Sequence, residues 1–160
     1  FIIYALGAKL VPQRDVRLFD LPNVVGMKYT GEDFYSMQQL SAMIDKPHIL
    51  LSGADQLFLG ALCFGVAGSI GSTQNCSPRH FIEIHRLFRE SKLDEARRIQ
   101  ADINRLITLM LSRGDLTYFK AGMRFIGLDC GWCRLPWKQL TEEEYAEYAA
   151  EIDALNILRR

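Results

Sequence analysis

Short apolar runs alternate with amphipathic stretches from Phe1 to about Phe88, and that rhythm sets the expected order of elements. Phe1-Ile2-Ile3-Tyr4-Ala5 is a strand candidate, and the segment from Pro12 to Phe19 follows with a proline where a first helical residue tolerates one. Asn-Val-Val-Gly-Met-Lys, ending at Lys28, reads as the second strand. Glu32 to Ile44 predicts a helix, because Phe34, Met37, Leu40 and Ile44 recur at helical spacing. His48 to Gly53 is the third strand, followed by a helical segment from Gln56 to Phe64; Val66 to Gly71 is the fourth, followed by a helix from Pro78 to Phe88. Strands and helices alternating at this spacing predict an α/β fold built from four βα units on a parallel sheet.

Beyond Arg89 the strand pattern stops. Leu93 to Leu111, Tyr118 to Ile126 and Glu142 to Leu158 read as helices, the last with Thr141 as N-cap and three glutamates in its first turn. This division predicts a βα part over residues 1–90 and a helical extension of the same domain over 91–160. No internal repeat or low-complexity linker interrupts the chain.

Composition narrows the function classes. The chain has 160 residues, 49% hydrophobic and 24% charged, with 19 basic and 19 acidic side chains, the profile of one ordinary globular domain. A neutral balance without a basic run offers no electrostatic footprint for nucleic acid or an acidic membrane surface. No apolar segment approaches the roughly 20 residues of a membrane span, and the first residues lack the basic start of a signal peptide. The expectation is a cytoplasmic protein with neither nucleic acid nor membrane as partner. Because the chain begins with Phe1 and its first residues already read as a core strand, further sequence is expected upstream.

Four cysteines, Cys63, Cys76, Cys130 and Cys133, are too few and scattered for a disulfide scaffold. Cys130-Gly131-Trp132-Cys133 matches C-x-x-C, but no strand precedes it and no second pair completes a zinc site. His80 and His85 are five apart and do not share a helix face, so no metal site is expected. Gly65, Gly68 and Gly71 lack a following Gly-Lys-Ser/Thr and read as close-packing positions.

The strand ends carry the chemistry. Gly26, Lys28 and Thr30 share one face of the second strand, whereas Val25, Met27 and Tyr29 share the other. A desolvated lysine holds its amine neutral and able to condense with a ketone; a lysine snorkelling from a strand end into solvent explains the same residue without chemistry. Tyr4 ends the first strand with a phenol that can relay protons. Gly53 and Asp55 follow the third strand, and Ser72 and Thr73 follow the fourth. An amine, a phenol, a carboxylate and hydroxyls together suit a polar carbonyl compound.

The stretches LPNVVGMKYTGED, LLSGADQLFLGALCFGVAGSIGSTQN and, more loosely, CRLPWKQLTEEE resemble the class I aldolases of the N-acetylneuraminate lyase and dihydrodipicolinate synthase group. The resemblance spans nearly the whole chain, and its GSTQN segment favours the lyase branch. It implies that Lys28 is the Schiff-base lysine and Tyr4 the proton-relaying phenol. It also implies substrate contacts from Thr30, Gly53, Asp55, Gln56, Ile70 (through its backbone) and Ser72, with Gln56 standing where sialic acid lyases usually carry glutamate. The segment after Tyr4 lacks the family's Asn-x-Pro pattern and the arginine of the synthase branch.

That family folds as a (β/α)8 TIM barrel followed by helices, and such a barrel needs about 250 residues. Four βα units here resemble the second half, without the Gly-Ser/Thr-Thr-Gly segment that receives the substrate carboxylate. The resemblance thus implies a Schiff-base lyase that cleaves or forms a carbon-carbon bond between pyruvate, a keto acid, and an aldehyde or sugar-acid fragment. No metal or organic cofactor is needed, since the imine is itself the electron sink. It also implies a homo-oligomer, a tetramer in that family. The rival expectation is a noncatalytic half-barrel that serves as an assembly module.

Overall fold

The β-branched and aromatic run Ile2–Leu6 forms β1, which pairs in parallel with β2, Gly26–Thr30, in a computed structural model that describes residues 1–114 and 116–158. β2 pairs with β3, Ile49–Ser52, and β3 with the short β4, Gly68–Ser69, so the sheet order follows the chain order. Helices α1 (Pro12–Asp15), α2 (Phe34–Met43) and α3 (Phe58–Cys63) fill the three crossovers. Then come α4 (Pro78–Arg89), α5 (Leu93–Ser112), α6 (Thr117–Phe125) and α7 (Glu142–Leu155). Among the described residues this makes an α/β fold of four parallel strands and seven helices.

Period-two alternation decides what each sheet face meets. Met27, Tyr29 and Leu50 point to the outer face, where they are buried in one apolar cluster with Met37 and Leu40 of α2 and Ala61 and Leu62 of α3. The same cluster runs on through Ile84 and Leu87 of α4 and Ile103, Leu106 and Met110 of α5 to Tyr148 and Ile152 of α7. Side chains of this size contribute about 1.5–3 kcal/mol each when fully buried, so the helical extension and the βα part are held by one core. The inner face is different: Ile2, Tyr4 and Leu6 are 45%, 56% and 64% exposed.

Local signals explain the helix ends. Asp33 caps α2 by accepting the Ser36 amide at 3.0 Å. α7 begins with a reciprocal capping box, in which the Thr141 hydroxyl accepts the Glu144 amide at 3.2 Å and the Glu144 carboxylate accepts the Thr141 amide at 3.0 Å.

Several boundaries differ from the sequence expectation. The helix expected over 12–19 is α only to Asp15 and continues as a tighter 3-10 stretch, Val16–Asp20, before Pro22 ends any helical continuation. The helix expected from Gln56 is preceded by a 3-10 turn, Asp55–Leu57, and becomes α-helical only at Phe58. The fourth strand shrinks to two residues because it lies at the sheet edge between glycines, although Ala67 and Ile70 still donate their amides to Leu50 and Ser52. The last helix stops at Leu155, where Asn156 adopts a left-handed φ of 52°. Val25, assigned to the apolar outer set, precedes β2 and is 50% exposed.

Candidate active site

Parallel register sets the first part of the site. Tyr4 lies opposite Lys28, and Lys28 opposite Leu51, so phenol, amine and leucine side chains share the inner face. The Lys28 ammonium sits 4.1 Å from the centroid of the Tyr4 ring. An amine over an aromatic face is held by the ring's negative quadrupole while losing part of its water. Lys28 is half-buried, neither free in bulk solvent nor sealed in the core.

Glycine brings the next strand end against this amine. A Cβ added at Gly53 would fall 1.8 Å from the Thr30 hydroxyl oxygen and 2.7 Å from Lys28 Cε. Only a residue without a side chain lets β3 end in contact with both. Gly71 plays the same part for the acid, since a Cβ there would fall 1.6 Å from Asp55 Oδ1.

Asp55 is buried and firmly held. Its Oδ2 accepts the Thr73 amide at 2.9 Å and its Oδ1 accepts the Gln74 side-chain amide at 2.8 Å, while the same Gln74 nitrogen donates to Ser69 Oγ at 2.8 Å. The turns after β3 and β4 are thereby tied together through one carboxylate. Beneath them the Cys76 thiol points at the Thr73 carbonyl at 3.2 Å, and its burial, aided by the nearby Asp55 charge, pushes its pKa up to about 12.

Between these turns and α5 lies an open cleft of about 300 Å³. Five of the residues expected to bind substrate line it: Thr30, Gly53, Asp55, Gln56 and Ser72. Lys28 and Tyr4 stand beside it on the inner face, joined to it through the Gly53 contact. Ile70 lies outside the cleft lining and is 46% exposed; its amide is engaged by Ser52, so any backbone contribution falls to its carbonyl. Among the described residues, the Thr30 hydroxyl oxygen is buried without a hydrogen-bond partner.

The far wall was not foreseen. It consists of Ile107 and Leu111 of α5 and Phe119 of α6, which no local motif marks because they reach the cleft only through tertiary packing. Gln100 did leave a signal: it interrupts the apolar stripe Ala96, Ile103, Ile107, Met110 at a position that should be core, and it is buried.

The model of the dihydrodipicolinate synthetase family matches residues 2–155. The chain is 34% identical over 156 residues to the N-acetylneuraminate lyase of Fusobacterium nucleatum, covering 94% of this chain and 53% of that protein. The crystal structure of the Fusobacterium nucleatum lyase complexed with pyruvate superposes with a TM-score of 0.84 at 32% identity, over 96% of this chain and 53% of that one. CdNal from Clostridium difficile, in complex with mannosamine, gives a TM-score of 0.85 at 31% identity over 94% of this chain and 53% of its own. The chain therefore spans about half the length of the relatives it matches.

Proposed function

The chain belongs to the dihydrodipicolinate synthetase family, and we propose that it carries the nucleophile of an aldolase-type lyase that acts through a Schiff base on pyruvate and a sugar-derived aldehyde, in the manner of an N-acetylneuraminate lyase. The observation that carries this reading is the Lys28 amine, 4.1 Å above the Tyr4 ring and joined through Gly53 to a cleft that Thr30, Asp55, Gln56 and Ser72 help to line. Pyruvate and mannosamine in the two related structures support the substrate class.

In the reaction the neutral Lys28 amine attacks the ketone carbon of the sugar acid, and water leaves as the protonated imine forms. The Tyr4 phenol supplies the proton with which that water leaves, and its oxygen then takes the proton of the substrate hydroxyl as the adjacent carbon-carbon bond breaks and the released electron pair flows toward the imine nitrogen. The aldehyde departs, and the resulting enamine takes a proton at carbon and is hydrolysed to pyruvate and free amine. Thr30, Ser72, Gln56 and the Ile70 carbonyl hold the polyol chain, with Asp55 accepting from its hydroxyls. Gln56 is neutral, so it can both donate to and accept from a hydroxyl.

Four βα units are half of the eight in a closed barrel, and the relatives are about twice as long. The proposal therefore includes a second set of four units, from the same polypeptide or another, that covers the inner face of β1 and β2. The exposed Ile2, Tyr4 and Leu6 also favour a second reading, a noncatalytic half-barrel that assembles through this face.

Cleavage of N-acetylneuraminate, followed by pyruvate release, separates the two. The protein purified from its source is expected to release pyruvate, Lys28→Ala to release none, and Tyr4→Phe to be slowed about 100-fold or more, the usual scale of a lost proton relay. Full activity in Lys28→Ala contradicts the proposal.

A further inference from the structure

Asp55 and Gln56 sit on a 3-10 turn of only three residues, Asp55–Leu57, whose own backbone bonds are few. α3 begins directly after it with no capping side chain from its own N-cap residue, Leu57. Such a turn has little intrinsic means of holding a carboxylate and an amide to the tolerance that a polar ligand demands.

Thr73 and Gln74 hold the Asp55 carboxylate, and the backbone of the turn is held from α5, more than forty residues away. Gln100 Oε1 accepts the Leu59 amide at 3.0 Å, which caps α3 from outside its own segment. Gln100 Nε2 donates to the Asp55 carbonyl at 3.1 Å and to Asn104 Oδ1 at 2.8 Å. Asn104 Nδ2 in turn donates to the Gln56 carbonyl at 3.2 Å. The two residues are one helical turn apart on the same face. That face continues through Ile107 and Leu111, which wall the cleft.

We infer that Gln100 and Asn104 are positioning residues, a two-amide clamp by which the helical extension fixes the Asp55-Gln56 turn and so sets the cleft's affinity for the polyol end of the substrate. This rests on the lyase reading for its substrate, though not for its geometry. A buried glutamine in an apolar stripe is otherwise a liability, since an unpaired amide costs more than an apolar residue of the same shape. Here both polar atoms of the Gln100 side chain meet a backbone or amide partner, and the Asp55 and Gln56 carbonyls of the turn are both reached.

Gln100→Met keeps the volume and removes the bonds to the Asp55 carbonyl and the Leu59 amide; Asn104→Asp keeps the oxygen that accepts from Gln100 and removes the donor to Gln56. In the source protein, Gln100→Met is expected to raise the KM for N-acetylneuraminate about tenfold, with kcat within about threefold, the scale of an unmade buried hydrogen bond. Asn104→Asp should give a smaller rise of the same kind. Pyruvate trapping at Lys28 should be unchanged in both. Hydrogen exchange gives a readout that needs no catalysis: the Thr73 amide, bonded to Asp55 Oδ2, should exchange about tenfold faster in Gln100→Met while the amides within β2 keep their protection. Unchanged Thr73 exchange, or equal loss across β2 that marks general unfolding, overturns the clamp. If the wild-type protein traps no pyruvate, the lyase reading fails, and Thr73 exchange still decides the clamp by itself.

Discussion

Lys28 meets a neighbour on either side of its strand. The Tyr4 ring covers it from β1, and Gly53 lets the end of β3 lie against its Cε. Gly53→Ala is the smallest change that tests this arrangement, because the added methyl would overlap both Thr30 and Lys28. It is expected to cost about 1–3 kcal/mol of stability in a urea titration, the usual scale of overpacking, and to displace the amine. Cys76 gives a second test at this scale. Burial pushes its thiol from 9.0 up to about 12, so the folded state keeps the proton that the unfolded chain would release. Its stabilising contribution is full below about pH 9 and is lost as pH rises from there toward about 12. Stability of the native protein should therefore fall more steeply above pH 9 than that of Cys76→Ala. At neutral pH, iodoacetamide followed by mass spectrometry should label the exposed Cys63 and Cys130 and spare Cys76.

At the scale of elements, the caps carry measurable weight. Thr141→Ala removes one half of the capping box of α7 and should lower stability by about 1 kcal/mol, read as a shift in thermal midpoint. The Thr141 cap and the acids of the first turn were legible in the sequence, and so were the four strands, because apolar runs bounded by turn residues leave little choice; that Glu144 reaches back to the Thr141 amide is seen only in the structure. The edges were less legible. The first turn after β3 tightens to a 3-10 form around Asp55, and β4 keeps only Gly68 and Ser69, since edge position and flanking glycines are properties of the sheet rather than of the segment. Within the candidate site, the strand-end residues announced themselves by type and alternation. Ile107, Leu111 and Phe119 did not, because an apolar residue on an amphipathic helix looks the same whether it faces a core or a cleft.

For the molecule as a whole, one continuous core supports a sheet whose two faces have opposite fates. The outer face is buried under helices, while the inner face presents Ile2, Tyr4 and Leu6. Apolar side chains side by side on an exposed sheet face favour association. The 160-residue chain by itself is expected to sediment as more than a monomer and to return toward monomer when Leu6→Lys places a charge on that face; a strict monomer before substitution would contradict assembly of copies through the inner face of β1 and β2. The helical extension belongs to the same account, because α5 both closes the cleft and grips the turn that carries Asp55.

The central claim is that the amine on β2 is a nucleophile toward a keto acid. Incubating protein from its source with pyruvate, reducing with borohydride and mapping the peptides measures this directly. The expected result is one reduced pyruvyl adduct, on the peptide containing Lys28 and nowhere else; an unmodified Lys28 peptide, or label spread over the surface lysines, would contradict it.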